Sequence, residues 1–161
     1  MFVYQRVNGR RTFSNDLFGE TYGGEVSALW QPSDHWRLRA AYTFLQMQLH
    51  TRGSVSSFSE ANEGTSPHHQ ISLWSDIDLS SHVEWGLGLR YVDRLPGLLQ
   101  QIPAYTELET RLAWKPTRHC EVAIVGKNLL HAHHREFSPI EVTARNVEVD
   151  RAVYAKITLR F

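Results

Sequence analysis

The feature of this sequence that most constrains its fold is an alternation of apolar and polar residues with a period of two. Successive side chains of a strand point to opposite faces of a sheet, so such a stretch has one apolar and one polar face. The same alternation returns along most of the chain, and no segment shows the helical period of 3.6 residues. It is clear in the closing segment "RAVYAKITLRF", where the apolar positions are Val153, Ala155, Ile157, Leu159 and Phe161.

The alternation predicts an all-β fold made of an antiparallel, up-and-down sheet. The predicted strands cover residues 21–31, 36–45, 70–79, 82–93, 104–115, 119–127 and 151–161. Residues 2–7 are either an eighth strand or the remnant of one. The cleanest alternation lies in residues 82–93, where apolar side chains share one face while Glu84, two glycines and Arg90 share the other.

The predicted connections alternate between short and long. Tight polar turns are expected at residues 32–35, 80–82 and 116–119, and long loops at 50–67, 94–103 and 128–150. Short and long connections therefore lie at opposite ends of the sheet. An outer-membrane β-barrel keeps this order, whereas a soluble sandwich with Greek-key crossings has no reason to do so.

Strand length and aromatic placement favour the same class. Strands of about 9–12 residues suit a tilted membrane strand of roughly 9–11 residues. Trp30 and Trp36 flank one short turn, Trp114 precedes another, and Tyr91 lies toward a long loop. This placement is typical of the aromatic girdles at the two lipid headgroup layers of a membrane barrel.

Composition excludes several other classes. Acidic and basic residues balance at 17 each, which argues against a nucleic-acid partner because such proteins usually carry a basic excess. No apolar run approaches the roughly 18 residues of a membrane helix. The single cysteine, Cys120, permits no intrachain disulfide. The first residues, "MFVYQRVNGRR", lack the pattern of a signal peptide.

Catalytic and metal-binding motifs find little support. Neither a GxSxG elbow nor an HExxH motif occurs. The segment "HAHH", with His131, His133 and His134 near Glu136, raises a metal hypothesis, but its spacing does not fix converging ligands and a polar outer loop is favoured. We therefore predict that the chain is not an enzyme and has no cofactor, no catalytic residue and no metal ligand.

Two further features have ordinary structural explanations. Glu107 and Glu109 share one strand face, and a charged barrel interior is favoured over an acid and base pair. The glycines at residues 23–24 and 86–88 lack the following helix that phosphate binding requires. They predict close strand contacts or room for a neighbouring side chain.

Several stretches, in order, resemble the C-terminal strands of a TonB-dependent outer-membrane receptor. "VGKNLL" followed by "HREF" is similar to the penultimate strand and last outer loop of that family, and "PAYTELETRLAWKP" is equally typical. The resemblance covers most of the chain and includes residues 21–46, 66–79, 89–96, 102–130 and the closing "VYAKITLRF".

The resemblance implies a bacterial outer-membrane location and a role in importing siderophores, cobalamin or other scarce nutrients. In that family, a barrel of 22 strands surrounds an N-terminal plug that carries the TonB-contacting segment. Residues 1–161 resemble the last third of such a barrel, with the plug absent, so we expect a partial barrel of about seven or eight strands that is inactive alone. The implied partners are outer-membrane lipid, the barrel assembly machinery, the rest of the receptor barrel and its plug, and a siderophore-type ligand in the intact receptor.

Two other functions stay open at this point. One is a small complete eight-stranded outer-membrane barrel with a structural or adhesion role, and the other is a soluble all-β binding module.

The resemblance also assigns sides and ends to the strands. Phe161 is expected at the periplasmic end, with residues 8–20 among the outer loops, and Phe161, Leu159 and Ile157 are expected to form the signal that the assembly machinery reads. The charged residues expected to face the lumen are Arg37, Arg39, Asp76, Asp78, Glu84, Arg90, Glu107, Glu109, Arg111 and Lys115.

Overall fold

The period-two segments form strands throughout the computed structural model, which describes residues 3–7, 10–14, 17–52, 60–96, 101–136 and 148–161. The strands are β1 (Val3–Val7), β2 (Arg10–Ser14), β3 (Leu17–Ser33), β4 (Trp36–Thr51), β5 (His69–Ser80), β6 (Val83–Val92), β7 (Tyr105–Thr117), β8 (Cys120–Lys127), β9 (His133–Arg135), β10 (Glu148–Asp150) and β11 (Ala152–Leu159). One 3₁₀ helix, Glu60–Thr65, precedes β5. Among the described residues, no helix is long and apolar enough to cross a membrane.

Seven strands form one antiparallel sheet in the order β11-β8-β7-β6-β5-β4-β3. From β3 to β8, each strand pairs with the next strand in the sequence, and β11 pairs with β8. The predicted all-β, up-and-down sheet of seven or eight strands is therefore confirmed, with seven strands in the sheet. The sheet is open, because no described residue pairs β3 with β11.

The predicted boundaries are wrong at the long-loop end. The expected outer loop at 8–20 contains β2 and the beginning of β3, and β4 continues to Thr51, where it pairs with Leu17. This extension is not visible in the sequence, because polar residues such as Glu20 and Gln48 occupy the face that is apolar nearer the short turn of the same two strands. The alternation of apolar and polar residues therefore ends although the two strands remain paired.

Two short hairpins stand apart from the main sheet. The candidate strand at residues 2–7 forms β1, but it pairs only with β2 in a separate two-stranded sheet. The expected loop at 128–150 contains β9 and β10, which pair with each other. Neither hairpin could be predicted, because two-stranded pairing needs no continuous apolar face.

The sheet separates polar and apolar side chains onto two faces. Directly opposed residues of an antiparallel pair point to the same face of the sheet. One such row of opposed residues crosses four strands and consists of Arg37, Asp76, Gly86 and Arg111. We call this side the inward face. A row on the opposite side contains Ala40, Leu73, Leu89 and Leu108, and we call that side the outward face.

The sheet has no apolar core of its own. Large outward-facing side chains stay exposed; Val26, Ile124 and Ile157, for example, are 62%, 56% and 67% exposed. A continuous exposed apolar surface of this kind marks a membrane or a partner interface. The buried apolar residues among those described are Leu17, Val92, Leu95, Ile102, Tyr105, Ala113 and Ala123.

In the C-terminal part of β4, side-chain carboxylates accept the backbone hydrogen bonds that a neighbouring strand would otherwise accept. The Leu45 amide still donates to the carbonyl of His68 at 3.0 Å. Beyond that point the helix supplies acceptors: Glu63 accepts from the Leu49 amide, and Glu60 accepts from both the amide and the hydroxyl of Thr51 at 2.8 Å. The donated hydrogen bonds lower the pKa of the Glu60 carboxyl. The helix thus covers a strand edge that the sheet leaves open.

Candidate functional site on the inward face

Ion pairs cross the strands of the inward face. Arg39 donates to Asp76 at 2.9 Å, and Arg37 lies 4.0 Å from Asp78. The arginines belong to β4 and the aspartates to β5, and the two pairs are separated by two residues along each strand. Because they are 32–58% exposed, each pair contributes little to stability by itself. Their effect is to keep a wet surface close to electrically neutral.

A second group joins β6, β7 and β8. Arg111 pairs with Glu121 and lies 3.7 Å from Glu84, while Lys115 also contacts Glu84. The two cationic side chains of β7 therefore lie between a carboxylate of β6 and a carboxylate of β8. The small residues Ala113 and Ala123 lie beneath these charged side chains and are fully buried, with 0% and 1% exposure.

The ten charged residues expected to face the lumen do share one face. Strand register places Glu109 opposite Gly88, Arg90 opposite Glu107, and Asp78 opposite Glu84, in the same face as the pairs above. Alternation predicts the face of these residues correctly because all except Lys115, which lies at a register shift between Trp114 and Thr117, belong to continuously paired strand segments.

An aromatic side chain also lies on the inward face. Trp74 is directly opposite Gly88, and a Cβ built on Gly88 would lie 2.7 Å from two atoms of the indole ring. The predicted role of this glycine, to leave room for a neighbouring side chain, is confirmed. Gly23 is likewise in close contact, since its Cβ would lie 2.3 Å from the Phe44 carbonyl oxygen, whereas Gly24 has open space.

The outward face carries one aromatic band near the short turns. Trp30 and Trp36 lie 6.4 Å apart between ring centroids. The indole of Trp36 donates to Ser75 at 3.0 Å, and the indole of Trp85 donates to Thr110 at 2.9 Å. The indoles of Trp36 and Trp85 therefore have a satisfied polar atom within a mostly apolar surface, which suits rings at a lipid headgroup layer.

A second band lies toward the long loops. The Tyr42 hydroxyl contacts Nδ1 of His69 at 2.8 Å, and Phe44 lies 5.3 Å from the His69 ring. Tyr22 lies 6.3 Å from Phe44. From Trp36 to Phe44 the strand spans about 27 Å, or about 20 Å when tilted as barrel strands are, which is of the order of an apolar band about 25 Å tall.

At the loop end of the inward face, one arginine joins two carboxylates. Arg90 donates through Nε to Glu107 at 2.7 Å and through Nη2 to Glu136 at 2.6 Å. The Tyr105 hydroxyl donates to Glu136 at 3.2 Å and accepts from Arg90 at 3.2 Å. The residues come from β6, β7 and the segment after β9, so the cluster attaches that segment to the sheet.

His134 completes the cluster. Its ring lies 4.3 Å from the Tyr105 ring, and its side chain is only 9% exposed. Its Nε2 atom lies 3.6 Å from Oε1 of Glu107 and 3.5 Å from Oε1 of Glu136. Both ring nitrogens are buried, and no described residue forms a hydrogen bond with either.

Asn128 fixes the end of β8. Its backbone has a φ of 49°, in the left-handed region that asparagine tolerates better than most residues. Its side-chain amide donates to the Val149 carbonyl at 2.9 Å, which connects β8 to β10. The residue is 1% exposed. Asn128 thus determines where the chain leaves the sheet.

The structure brings together some of the residues singled out in the sequence and separates others. Glu107 meets Arg90 and His134, whereas Glu109 lies further along β7 opposite Gly88. Of the "HAHH" segment, His134 enters the cluster and His133 is 61% exposed, 3.8 Å from Glu148. Ile157 and Leu159 lie exposed on the outward face, and Phe161 follows them fully exposed.

Comparison with known proteins identifies the fold. No family model matches the chain. No curated protein matches it either.

Solved structures do match. The closed form of a ferric-catecholate import receptor from E. coli K12 superposes with a TM-score of 0.70 at 16% identity over 95% of this chain. A copper transporter matches with a TM-score of 0.68 at 13% identity over 99% of the chain. The ferric preacinetobactin receptor from Acinetobacter baumannii matches with a TM-score of 0.64 at 19% identity over 95%.

The chain spans only part of each of these proteins. The matched region covers 22%, 27% and 24% of the three chains, respectively. At these low identities the likeness concerns the fold, and the resemblance to TonB-dependent receptors that the sequence suggested is confirmed at that level. The chain has the fold of a section of the β-barrel of TonB-dependent receptors.

Proposed function

We propose that this chain is the C-terminal part of the barrel of an outer-membrane, TonB-dependent receptor that takes up ferric siderophores or a similar scarce nutrient. The observation that carries the proposal is the structural match of almost the whole chain to import receptors. In this assignment, the outward face contacts lipid, and the inward face lines the lumen or contacts the plug. Residues 1–161 alone form the C-terminal barrel segment without a plug and are inactive in uptake.

The two faces of the sheet support this assignment. A charged side chain in lipid costs about 2–4 kcal/mol near the bilayer midplane for Arg or Lys. The described charges in the paired core of the sheet, including the pairs Arg39–Asp76 and Arg111–Glu121, lie on the inward face. Between its aromatic bands, the opposite face carries apolar side chains and a few uncharged hydroxyls, such as those of Ser75 and Thr110.

The three matched proteins support a metal-bearing cargo. Ferric complexes are named for the E. coli and Acinetobacter receptors, and copper for the third protein. We assign the ferric siderophore class because two of the three proteins carry it. The identity of the ligand depends on the outer loops and on the plug of the intact receptor.

The open edges of the sheet favour a receptor segment over a small complete barrel. Within the described residues, β3 and β11 have no partner on their outer edges. Lipid cannot satisfy free backbone amides and carbonyls, so these edges need further strands. The rest of the receptor barrel supplies them in our proposal. A soluble binding module is disfavoured because Val153, Ile157 and Leu159 lie exposed on the outward face.

The proposed assembly signal consists of Phe161, Leu159 and Ile157, which the barrel assembly machinery reads before insertion. All three residues are accessible for recognition: Phe161 is fully exposed, and Leu159 and Ile157 are 58% and 67% exposed. In an intact receptor, Phe161→Asp is expected to lower the assembled amount sharply. Lys156→Gln, on the inward face, is expected to have little effect.

Expression of residues 1–161 with an export signal, in a strain lacking its own siderophore receptor, tests the proposed function. We expect no folded product in the soluble periplasmic fraction, because the open sheet edges need the rest of the barrel. We also expect siderophore-dependent growth to stay unrestored, because the expressed segment supplies neither gate nor coupling segment. Recovery of the folded product in the soluble periplasmic fraction would contradict the membrane assignment. Restored growth would contradict the assignment as an inactive segment.

A further inference from the structure

A three-ligand cluster lies at the loop end of the inward face, outside the ion-pair groups of the barrel wall. The converging atoms are Nε2 of His134 and one carboxylate oxygen each from Glu107 and Glu136, all within 4.8 Å of one another. Glu107 belongs to β7, His134 to β9, and Glu136 to the segment that follows β9. The ligands therefore come from the sheet and from an outer connection.

We infer that His134, Glu107 and Glu136 bind a divalent transition-metal ion, with Zn²⁺ as the reference ion. The inference goes beyond the proposed uptake function and does not depend on it. Sequence spacing alone led us to expect no metal ligand, because it could not bring Glu107 to the histidine segment.

The burial of His134 is the first argument. Its side chain is more than nine-tenths buried, and neither nitrogen has a hydrogen-bond partner among the described residues. A buried polar group without a partner costs about 1–3 kcal/mol. The Nε2 atom is aimed between two carboxylate oxygens, so an ion held there would satisfy this nitrogen.

The distances favour metal ligation over a direct hydrogen bond. If His134 donated through Nε2 to a carboxylate, the N···O distance would be about 2.7–3.2 Å. Zinc bonds of about 2.0–2.2 Å in a tetrahedron separate neighbouring ligand atoms by roughly 3.3–3.5 Å. The observed separations from Nε2 are 3.6 Å to Glu107 and 3.5 Å to Glu136. They fit shared metal ligation better than direct hydrogen bonding.

The donor set selects the class of ion. Ca²⁺ and Mg²⁺ prefer oxygen ligands, whereas an imidazole nitrogen with carboxylates suits zinc and neighbouring transition metals. Two carboxylates and the nearby guanidinium of Arg90 give a net charge of about −1 with neutral histidine. A divalent cation is therefore attracted, and three protein ligands leave a fourth position open.

Neighbouring groups hold the ligands in place. Arg90 contacts the Oε2 atom of Glu107, which leaves Oε1 facing His134. Arg90 and the Tyr105 hydroxyl both donate to Oε1 of Glu136, the oxygen that faces His134, so a bound ion would share this atom with them. The Tyr105 ring packs on the imidazole. Such outer contacts orient metal ligands in many sites. A bound ion would link β9 to the loop end of β7.

Calorimetric titration of the full chain, folded in detergent, with Zn²⁺ tests the inference, and visible absorption of Co²⁺ reports coordination. We expect about one site per chain with a tetrahedral cobalt spectrum. His134→Ala and Glu107→Gln should weaken this binding at least about 100-fold, since loss of outer contacts alone costs 10–100-fold.

The matched control is His133→Ala, which removes an exposed histidine one residue away that lies near Glu148. This variant should bind within about twofold of the parent, because its side chain does not enter the cluster. If His134→Ala fails to fold, Glu136→Gln decides, since Glu136 is 35% exposed and lies outside the strands. Absence of binding by the parent chain, or equal binding by the parent, Glu136→Gln and His133→Ala, would overturn the inference.

Discussion

The Trp74 indole lies over Gly88 on the inward face of the sheet, where a Cβ on residue 88 would come within 2.7 Å of the ring. Because indole is rigid, Gly88→Ala must displace it, and we expect a destabilisation of about 1–3 kcal/mol. The matched change is Gly24→Ala, whose new Cβ would meet no atom within 4 Å. Urea unfolding in detergent measures both. Equal midpoints would show that Trp74 does not occupy this space.

The inward and outward faces could be predicted from the sequence because side-chain direction in a paired strand follows from position alone. Arg37, Asp76 and Arg111 were assigned to one face by counting, and the strand register agrees. The alternation no longer predicts the strands beyond the aromatic band near the long loops. There, Glu20 and Gln48 interrupt the apolar face while β3 and β4 remain paired.

The cluster around His134 could not be predicted for a different reason. One of its ligands, Glu107, lies far in the sequence from His134 and Glu136, and the path of the chain after β8 brings the three together. There, Asn128 adopts a left-handed backbone conformation and directs the chain back over the sheet. No periodicity reports such a turn. The motif "VGKNLL" was recognised by resemblance, without the physical reason that its asparagine now provides.

Substitutions of Asn128 separate its two contributions. Asn128→Ala loses the hydrogen bond to Val149 and strains the backbone at φ 49°, so we expect a loss of about 1–2 kcal/mol. Asn128→Gly relieves the backbone strain but still lacks the hydrogen bond, and we expect an intermediate stability. Thermal unfolding in detergent gives the order. An alanine variant as stable as the parent would contradict the role assigned to this residue.

Attachment of the 3₁₀ helix to β4 should depend on pH. Hydrogen bonds from Thr51 lower the pKa of Glu60 below its ordinary value of 4.5. A lowered carboxyl pKa stabilises the folded state above the unfolded pKa, and this contribution is lost as the pH falls through the folded pKa. We therefore expect protection of the Thr51 amide from hydrogen exchange at pH 6.5 and its loss at acidic pH below about 4.5.

The Leu45 amide is the internal control for that measurement, because it donates to a backbone carbonyl that does not titrate. Its protection, corrected for the intrinsic exchange rate, should stay constant over the same range. Glu60→Gln should make the Thr51 protection independent of acid. A parallel loss of protection at both amides would indicate general unfolding instead of titration of Glu60.

Two neighbouring alanines of β4 provide the most direct test of the two-faced membrane sheet. Ala40 lies on the outward face opposite Leu73, and Ala41 lies on the inward face opposite Ser72. The same substitution to lysine at each position therefore compares the two faces at nearly the same depth. Lysine in lipid should cost about 2–4 kcal/mol near the midplane, whereas a wet inward face tolerates it.

The measurement is the urea-resistant, outer-membrane fraction of an intact receptor that contains this segment in its barrel, compared among the parent, Ala40→Lys and Ala41→Lys. We expect Ala40→Lys to lower the folded membrane fraction severalfold or more, and Ala41→Lys to stay close to the parent. Equal fractions for the two variants, or a greater loss for Ala41→Lys, would contradict the assignment of the outward face to lipid.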